Sequence, residues 1–277
     1  MCLLVGTGLI AATGGDDHGV TGGLRQLTGD AAATPTNTMR APGVSRDGPL
    51  PTATATPTSV PTATPVPEPT PTPVPPRAAN PSGLRLWTDG DSTSYFMSVA
   101  VIDLLSAQGA IPVQAAPEYK ISSGLLSPGY FDWPNYIATE MAATDADIVV
   151  FMVGANDASP GMDLENYASL VGALMDQLQR TGRIVAWVGQ PAMGPGRPDL
   201  NAAIPGMNAV FSQEAAKRPW VVYVDAWAMT TDANGNYADT LPDENGVSQL
   251  LRADDGVHFT SAGGRRLALG VAHALFP

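Results

Sequence analysis

Three short polar segments carry residue types suited to acyl transfer. Gly90-Asp91-Ser92 closes a short apolar run and opens a helical pattern. A serine at a strand-to-helix turn is lifted out of its sheet and stands at the positive end of a helix dipole, where a developing oxyanion is stabilised. Gly154-Ala155-Asn156-Asp157 follows the most apolar run of the chain, and an asparagine there can aim its amide N–H at the same pocket. Asp255-Gly256-Val257-His258 precedes the last helical pattern. Its spacing lets Asp255 accept from one ring nitrogen and leaves the other facing a nucleophile. Each segment alone also fits a humbler role: a helix cap, a turn or a loop hydrogen bond. Together they fall in order, each in a predicted loop, and the joint pattern favours chemistry. Asp254 is a second carboxylate near His258, directed the other way if the loop is extended. His273 lies in the last turn of the final helical pattern, where a cation is simply favourable. Ser94 and Ser98 sit inside a predicted helix, and Ser122 and Ser123 lack the strand-to-helix elbow.

The elements that must position these residues are legible from periodicity. Leu84–Thr88 and Ile111–Ala115 read as short strands, Asp147–Val153 as a fully buried one, and Ile184–Val188 and Val221–Val224 as two more. Helices are predicted over Thr93–Gln108, from Leu164 to Leu178, near Ala209–Lys217 and over Ser261–Leu275, the last capped by Thr260. Strands alternating with helices imply βαβ units. The expected fold is therefore a three-layer α/β/α sandwich around a parallel sheet of about five strands. In such sheets the functional groups gather at the carboxyl ends of the strands, which is where all three segments fall.

Composition separates this domain from what precedes it. Thr34–Pro76 holds 13 of the 26 prolines and 11 threonines, and cannot bury enough apolar surface to offset its ordering entropy. We read residues 1–15 as an apolar N-terminal segment, 16–82 as a disordered Thr/Pro-rich stalk, and 83–277 as the folded domain. The apolar run Met1–Ala12 is shorter than the roughly 20 residues a bilayer span needs. It is read as the tail of a signal or membrane helix, able to anchor the chain. The tract TATATPTSVPTATPVPEPTPTPVPP favours extended polyproline II, the conformation of semi-rigid spacers on extracytoplasmic proteins, so an extracytoplasmic location is expected. Residues 83–277 carry 10 Lys+Arg against 21 Asp+Glu, a net of −11. That charge disfavours nucleic acid and anionic membrane faces as partners. The single cysteine, Cys2, excludes a disulfide framework and a Cys-based zinc site. Asp232, Asn234 and Asn236 have the spacing of a calcium loop. However, Tyr237 stands where glycine is required and Asp243 where glutamate is, and Asn234-Gly235 signals a hairpin turn. No nucleotide-phosphate fingerprint is present, and no metal or cofactor is expected.

On these residues the domain resembles the SGNH (GDSL-type) hydrolases, which share a flavodoxin-like α/β/α fold. Gly90-Asp91-Ser92 looks like the nucleophile block, Gly154-x-Asn156-Asp157 the asparagine block and Asp255-x-x-His258 the terminal block. Gly124 in Ile121-Ser122-Ser123-Gly124-Leu125 is the candidate for the glycine block. Ser122–Leu125, Tyr130–Trp133 and Arg252–Asp255 look most like a bacterial envelope subgroup similar to enzymes that modify O-acetyl groups on cell-wall and surface polysaccharides. The resemblance implies a serine esterase: Ser92 as nucleophile, His258 as base and Asp255 fixing the imidazole. Its oxyanion hole would be the Ser92 and Gly124 N–H groups with the Asn156 side chain, while Asp91 and Asp157 brace loops. Tyr130, Phe131 and Trp133 are the candidate wall of the acyl or sugar site, or else pack at a helix start. The implied substrate is an acylated glycan or small ester. A base must be neutral to act, so turnover should rise with pH through roughly 6–7. The same residues also fit an O-acetyltransferase. From other classes, a non-catalytic glycan-binding module and a structural envelope protein remain as readings. The sequence does not specify oligomeric state.

Overall fold

Apolar runs with no alternation belong to strands covered on both faces, and three of them, IVVFM, IVAWV and VVYV, organise the domain. A computed structural model describes residues 78–277; the readings for the stalk and N-terminal segment lie outside the described residues, apart from their last few positions. The strands are β1 (Arg85–Gly90), β2 (Ile111–Pro112), β3 (Ile148–Met152), β4 (Ile184–Val188) and β5 (Val221–Val224). They form one parallel sheet in the order β2-β1-β3-β4-β5. The expected five-stranded α/β/α fold is what the chain adopts. The chain starts at the second strand position and turns back through β3, so a crevice opens between the carboxyl ends of β1 and β3. The segments bearing Ser92 and Asn156 leave from those two ends.

Period-two alternation along β3 divides the core in two. Val149 and Phe151, with Val153 just beyond, face a cluster built from α2 (Trp133–Thr144), α3 (Leu164–Gln177) and α4 (Pro198–Ala216). Ile148, Val150 and Met152 face the other way, toward α1 (Tyr95–Ser106) and α6 (Ser261–Leu275). Helix α6 lies close on α1: a Cβ at Gly264 would sit 2.3 Å from the Phe96 carbonyl oxygen. This contact sets the loop before α6, which carries His258, beside the turn that carries Ser92. A short α5 (Ala226–Thr230) and an antiparallel hairpin of β6 (Thr240–Pro242) and β7 (Ser248–Leu250) fill the interval between β5 and that loop.

Several expected boundaries shift. β2 is two residues long rather than five: Val113 N–H still donates to Leu86 O, but at Thr88 the Gln114 side-chain amide takes the place of a strand backbone, accepting from Thr88 N–H and donating to Thr88 O. The first helix begins with a 3-10 turn, Ser92–Ser94, before α1 proper. Helix α4 starts eleven residues earlier than expected, with Pro198 in its first turn, and continues through Pro205. Of helix α2 only a start near Tyr130–Trp133 was anticipated, and the β6–β7 hairpin was not. Asn234-Gly235 forms the tip of a tight turn, with Gly235 at φ +80, flanked by a bridge between Thr231 and Tyr237. The Asp232 carboxylate is spent on the backbone N–H groups of Asn234 and Asn236. Thr260 caps α6 by accepting from Gly263 N–H.

Candidate active site

Asp91 organises the turn after β1. Its carboxylate is fully buried; one oxygen accepts from the Thr93 N–H and hydroxyl. The other accepts from Gly154 and Ala155 N–H at 2.9 and 3.0 Å. One side chain thus ties the Ser92 turn to the Asn156 loop. Burial pushes the Asp91 carboxyl up, and these donors hold it back.

Across this turn lies His258. Its Nε2 is 2.9 Å from Ser92 Oγ, and its Nδ1 is 2.6 Å from Asp255 Oδ2. The second Asp255 oxygen accepts from Val257 and His258 N–H. Partial burial works against the Asp255 charge. The His258 ring and the two N–H groups outweigh it and hold the carboxyl at about 2. An ionised Asp255 draws the proton to Nδ1, leaving the Nε2 lone pair toward the Ser92 hydroxyl. Ser92, Asp255, His258 and Asn156 line one cleft of about 500 Å³. Asn156 donates one amide N–H to Ser123 O at 2.9 Å, which orients the amide and leaves its second N–H. Among the described residues, none accepts from Ser92 N–H.

Asp157 braces the neighbouring loop, accepting from Leu125 N–H, Leu126 N–H and the Tyr167 hydroxyl at 2.8–2.9 Å. It lies so close that a Cβ at Gly124 would fall 2.1 Å from its Oδ1, so only glycine fits. Gly124 is buried and is not among the residues lining the cleft. The neighbouring Ser122 lines it instead, in the left-handed region at φ +56. The rival serines are otherwise engaged or enclosed. Ser94 donates to Asp91 O, Ser98 is buried, and Ser123 donates to Lys120 O.

Residues 85–274 match the model of a family described as protein of unknown function, DUF459. The chain belongs to the DUF459 family. Its fold is that of the SGNH (GDSL-type) hydrolases, and solved structures of that kind superpose on it. A catalytic mutant of the acetylxylan esterase Axe2 from Geobacillus stearothermophilus aligns with a TM-score of 0.55 at 17% identity, over 72% of this chain and 96% of its own. The lipase/acylhydrolase from Enterococcus faecalis aligns at 0.52 and 16%, over 69% and 94%. A protein from Desulfitobacterium hafniense described as lipolytic and of the G-D-S-L family aligns at 0.51 and 15%, over 70% and 100%. At these identities the likeness is one of fold. No curated protein sequence matches the chain.

In this DUF459 domain the expected wall of Tyr130, Phe131 and Trp133 is not the wall of the cleft. Trp133 is wholly buried against Phe151 in the core, its indole N–H held by Ser123 Oγ. Phe131 packs on Trp133 and Tyr136. Tyr130 is 66% exposed but turns its hydroxyl to Ile121 O, outside the cleft lining. The other reading, packing at a helix start, is the one the structure bears out, with Trp133 at the start of α2 buried and Tyr130 just before it exposed. The rings that do line the cleft are Tyr95, Phe96, Tyr119 and Phe259. Tyr95 and Phe96 follow the Ser92 turn directly, a proximity the sequence displays. Among the described residues, no three His, Cys, Asp or Glu side chains cluster as a metal site would require.

Arg252 is the support that sequence reading missed. Its guanidinium is buried, donates to Val257 O at 2.9 Å and to Ala192 O, and lies 4.0 Å over the Phe259 ring. Burial lowers its pKa to about 10, leaving it charged at neutral pH. It joins the His258 loop to the loop after β4. Arg252→Met should cost about 2–4 kcal/mol by orphaning two buried carbonyls, and lower kcat at least tenfold by freeing His258. Arg252→Lys should rescue little, since one ammonium replaces a rigid fork. Thermal unfolding and ester kinetics on both variants check this.

A second titratable group lies in β1, ahead of the Ser92 turn. Tyr136 Oη is 2.9 Å from Asp89 Oδ2 and 2.7 Å from Glu118 Oε2. A phenol has one proton, so both contacts are hydrogen bonds only when one carboxyl is protonated. Burial raises Asp89 to about 7, against the pull of Gly90 N–H and the Tyr136 hydroxyl. In the unfolded chain the value is about 3.9. The folded state therefore holds this proton longer. The associated stability is full below about pH 4 and declines as pH rises through 7, by up to about 4 kcal/mol. Asp89→Asn imitates the protonated acid: its amide can donate to Tyr136, and its oxygen can still accept from Gly90. Its Tm relative to wild type should improve between pH 5 and pH 8; a pH-independent difference would contradict the assignment.

Proposed function

We propose that this DUF459 domain is a serine esterase acting on O-acetyl or other short acyl esters of cell-wall or surface glycans, outside the cytoplasm. The observation that carries the reading is the unbroken chain Asp255–His258–Ser92 at 2.6 and 2.9 Å, ending in an open cleft. Ser92 Oγ attacks the ester carbonyl carbon as its proton passes to His258 Nε2. The oxyanion that forms accepts from the Ser92 N–H and the free Asn156 amide N–H. Collapse breaks the bond to the sugar oxygen, which takes the proton from His258. Water then attacks acyl-Ser92, again deprotonated by His258, and releases the acid and the serine. A sugar hydroxyl entering in place of water would give acyl transfer through the same intermediate. The fold likeness to an acetylxylan esterase supports a carbohydrate ester, and the Thr/Pro tract ahead of the domain supports an envelope setting.

The test is acetate release from O-acetylated peptidoglycan or polysaccharide, with and without an acceptor glycan. Release without acceptor is expected. Asn156→Ala should lower kcat by about 10²–10³ with the fold intact, since the residue is exposed. Unchanged hydrolysis in that variant would remove Asn156 from the site.

A further inference from the structure

Among the described residues there are ten lysines and arginines, and nine are partnered. Arg85, Arg180, Arg218, Arg265 and Lys217 meet carboxylates. Arg183, Arg252 and Arg266 donate to buried or half-buried carbonyls, and Lys120 faces Glu118 and the Tyr136 ring. The tenth, Arg197, has no side-chain partner and lines the cleft with Ser92 and His258. In a domain with a large excess of carboxylates, an unpaired guanidinium at this position is a departure from the rest of the molecule.

Arg197 is exposed, so water solvates its guanidinium, and the fold itself gives that group no partner. Arg197 stands at the N-cap of α4 and makes no capping bond, and a cation at the positive end of a 19-residue helix is locally unfavourable. Its backbone is nonetheless well fixed. Arg197 N–H donates to Gly194 O, and Gly194 N–H donates to Gly256 O at 2.8 Å. Asn201 clamps both the N–H and the carbonyl of Met193 at 2.7 Å. The guanidinium is therefore carried on a loop bonded to the Asp255–His258 loop. The same cleft presents Tyr95, Phe96 and Tyr119, with the Tyr95 ring 4.9 Å from Tyr119 and 5.1 Å from Phe96. Aromatic faces suit the apolar face of a sugar ring, and a planar fork of N–H donors suits a carboxylate or phosphate.

We propose that Arg197 is a specificity residue that binds an anionic group on the sugar portion of the ester, so that the preferred substrates are O-acylated acidic glycans. The proposal rests on the esterase reading for the reaction, but the anion site stands on its own geometry. Acetate release would be compared for an acetylated xylooligosaccharide (neutral), an acetylated oligogalacturonate and an acetylated sugar phosphate, in wild type, Arg197→Gln and Arg197→Lys. Wild type should prefer an anionic substrate in kcat/KM by about tenfold or more, carried mainly in KM and reduced by added salt. Arg197→Gln should bring that ratio near one, with Arg197→Lys between. A preference for both anions identifies a reader of charge; a preference for the uronate alone identifies an acidic sugar. A wild-type ratio near one, or a ratio unchanged in Arg197→Gln, overturns the proposal. Titration of galacturonate into Ser92→Ala protein, with and without Arg197→Gln, separates the two claims. Arg197-dependent binding without turnover of any ester by wild type would keep the anion site and remove the esterase. Turnover without anion preference would do the reverse.

Discussion

Ser92→Ala is expected to lower ester turnover by about 10⁴-fold or more while leaving thermal stability within about 0.5 kcal/mol of wild type. In the proposed reaction the hydroxyl supplies the electron pair that attacks the carbonyl, and none of the neighbouring serines can replace it. Ser94 and Ser123 donate to backbone carbonyls, and Ser98 is enclosed in the core. Ser122 shares the cleft, but His258 Nε2 addresses Ser92. His258→Ala should cost a comparable factor. The double variant should be little worse than either single one, because nucleophile and base act as a unit. Initial rates on a chromogenic acetyl ester check this. Additive losses in the double variant, or substantial activity in Ser92→Ala, would show that the two residues act separately.

Asp91→Asn should have the largest effect on stability. The side chain is isosteric, yet one of its oxygens becomes an NH₂ group. The groups around Asp91 are the N–H and hydroxyl of Thr93 and the N–H groups of Gly154 and Ala155. Whichever way the new amide turns, a donor faces donors in a fully buried site. The loss should be about 3–5 kcal/mol, or a fall in Tm of roughly 10 °C for a domain of this size. Because Asp91 joins the Ser92 turn to the Asn156 loop, kcat should also fall at temperatures where the variant is folded. A Tm close to wild type would mean that the two loops are held by other contacts.

The parts of the fold legible in the sequence are those whose cause is local. β3 and β4 read as unbroken apolar runs because both faces of the sheet are covered, and α3 shows the spacing of a helix with one buried face. Thr260 at the start of α6 is a side-chain cap visible in the residue string. The length of helix α2 beyond its start was missed although Trp133, Ile137 and Met141 keep a four-residue spacing, because Pro134, Asn135, Thr139 and Glu140 between them break up the apolar pattern. The first half of α4 was missed because Pro205 and Gly206 read as a break; packing of Ile204 and Met207 into the core overrides that preference.

The candidate site divides in the same way. Ser92, Asn156 and the Asp255–His258 pair announce themselves by residue type and by position after a strand or before a helix. The cleft walls do not. Tyr95, Tyr119, Arg197 and Val257 come from four separate segments, and their meeting is a property of the packed sheet rather than of any stretch of chain. The same holds for Arg252, whose partners Ala192 and Val257 are sixty and five residues away. Tyr130, Phe131 and Trp133 left two readings open, a site wall or packing at a helix start, because an aromatic cluster looks the same in sequence whether it faces solvent or the core; the structure bears out the helix start.

The most direct measurement is covalent labelling with a serine-reactive fluorophosphonate, followed by mapping of the modified peptide by mass spectrometry. One label per chain is expected, on Ser92, strongly slowed in His258→Ala and absent in Ser92→Ala. Failure of the wild-type protein to label, or a label mapped to another serine, would contradict the assignment of Ser92 as the nucleophile.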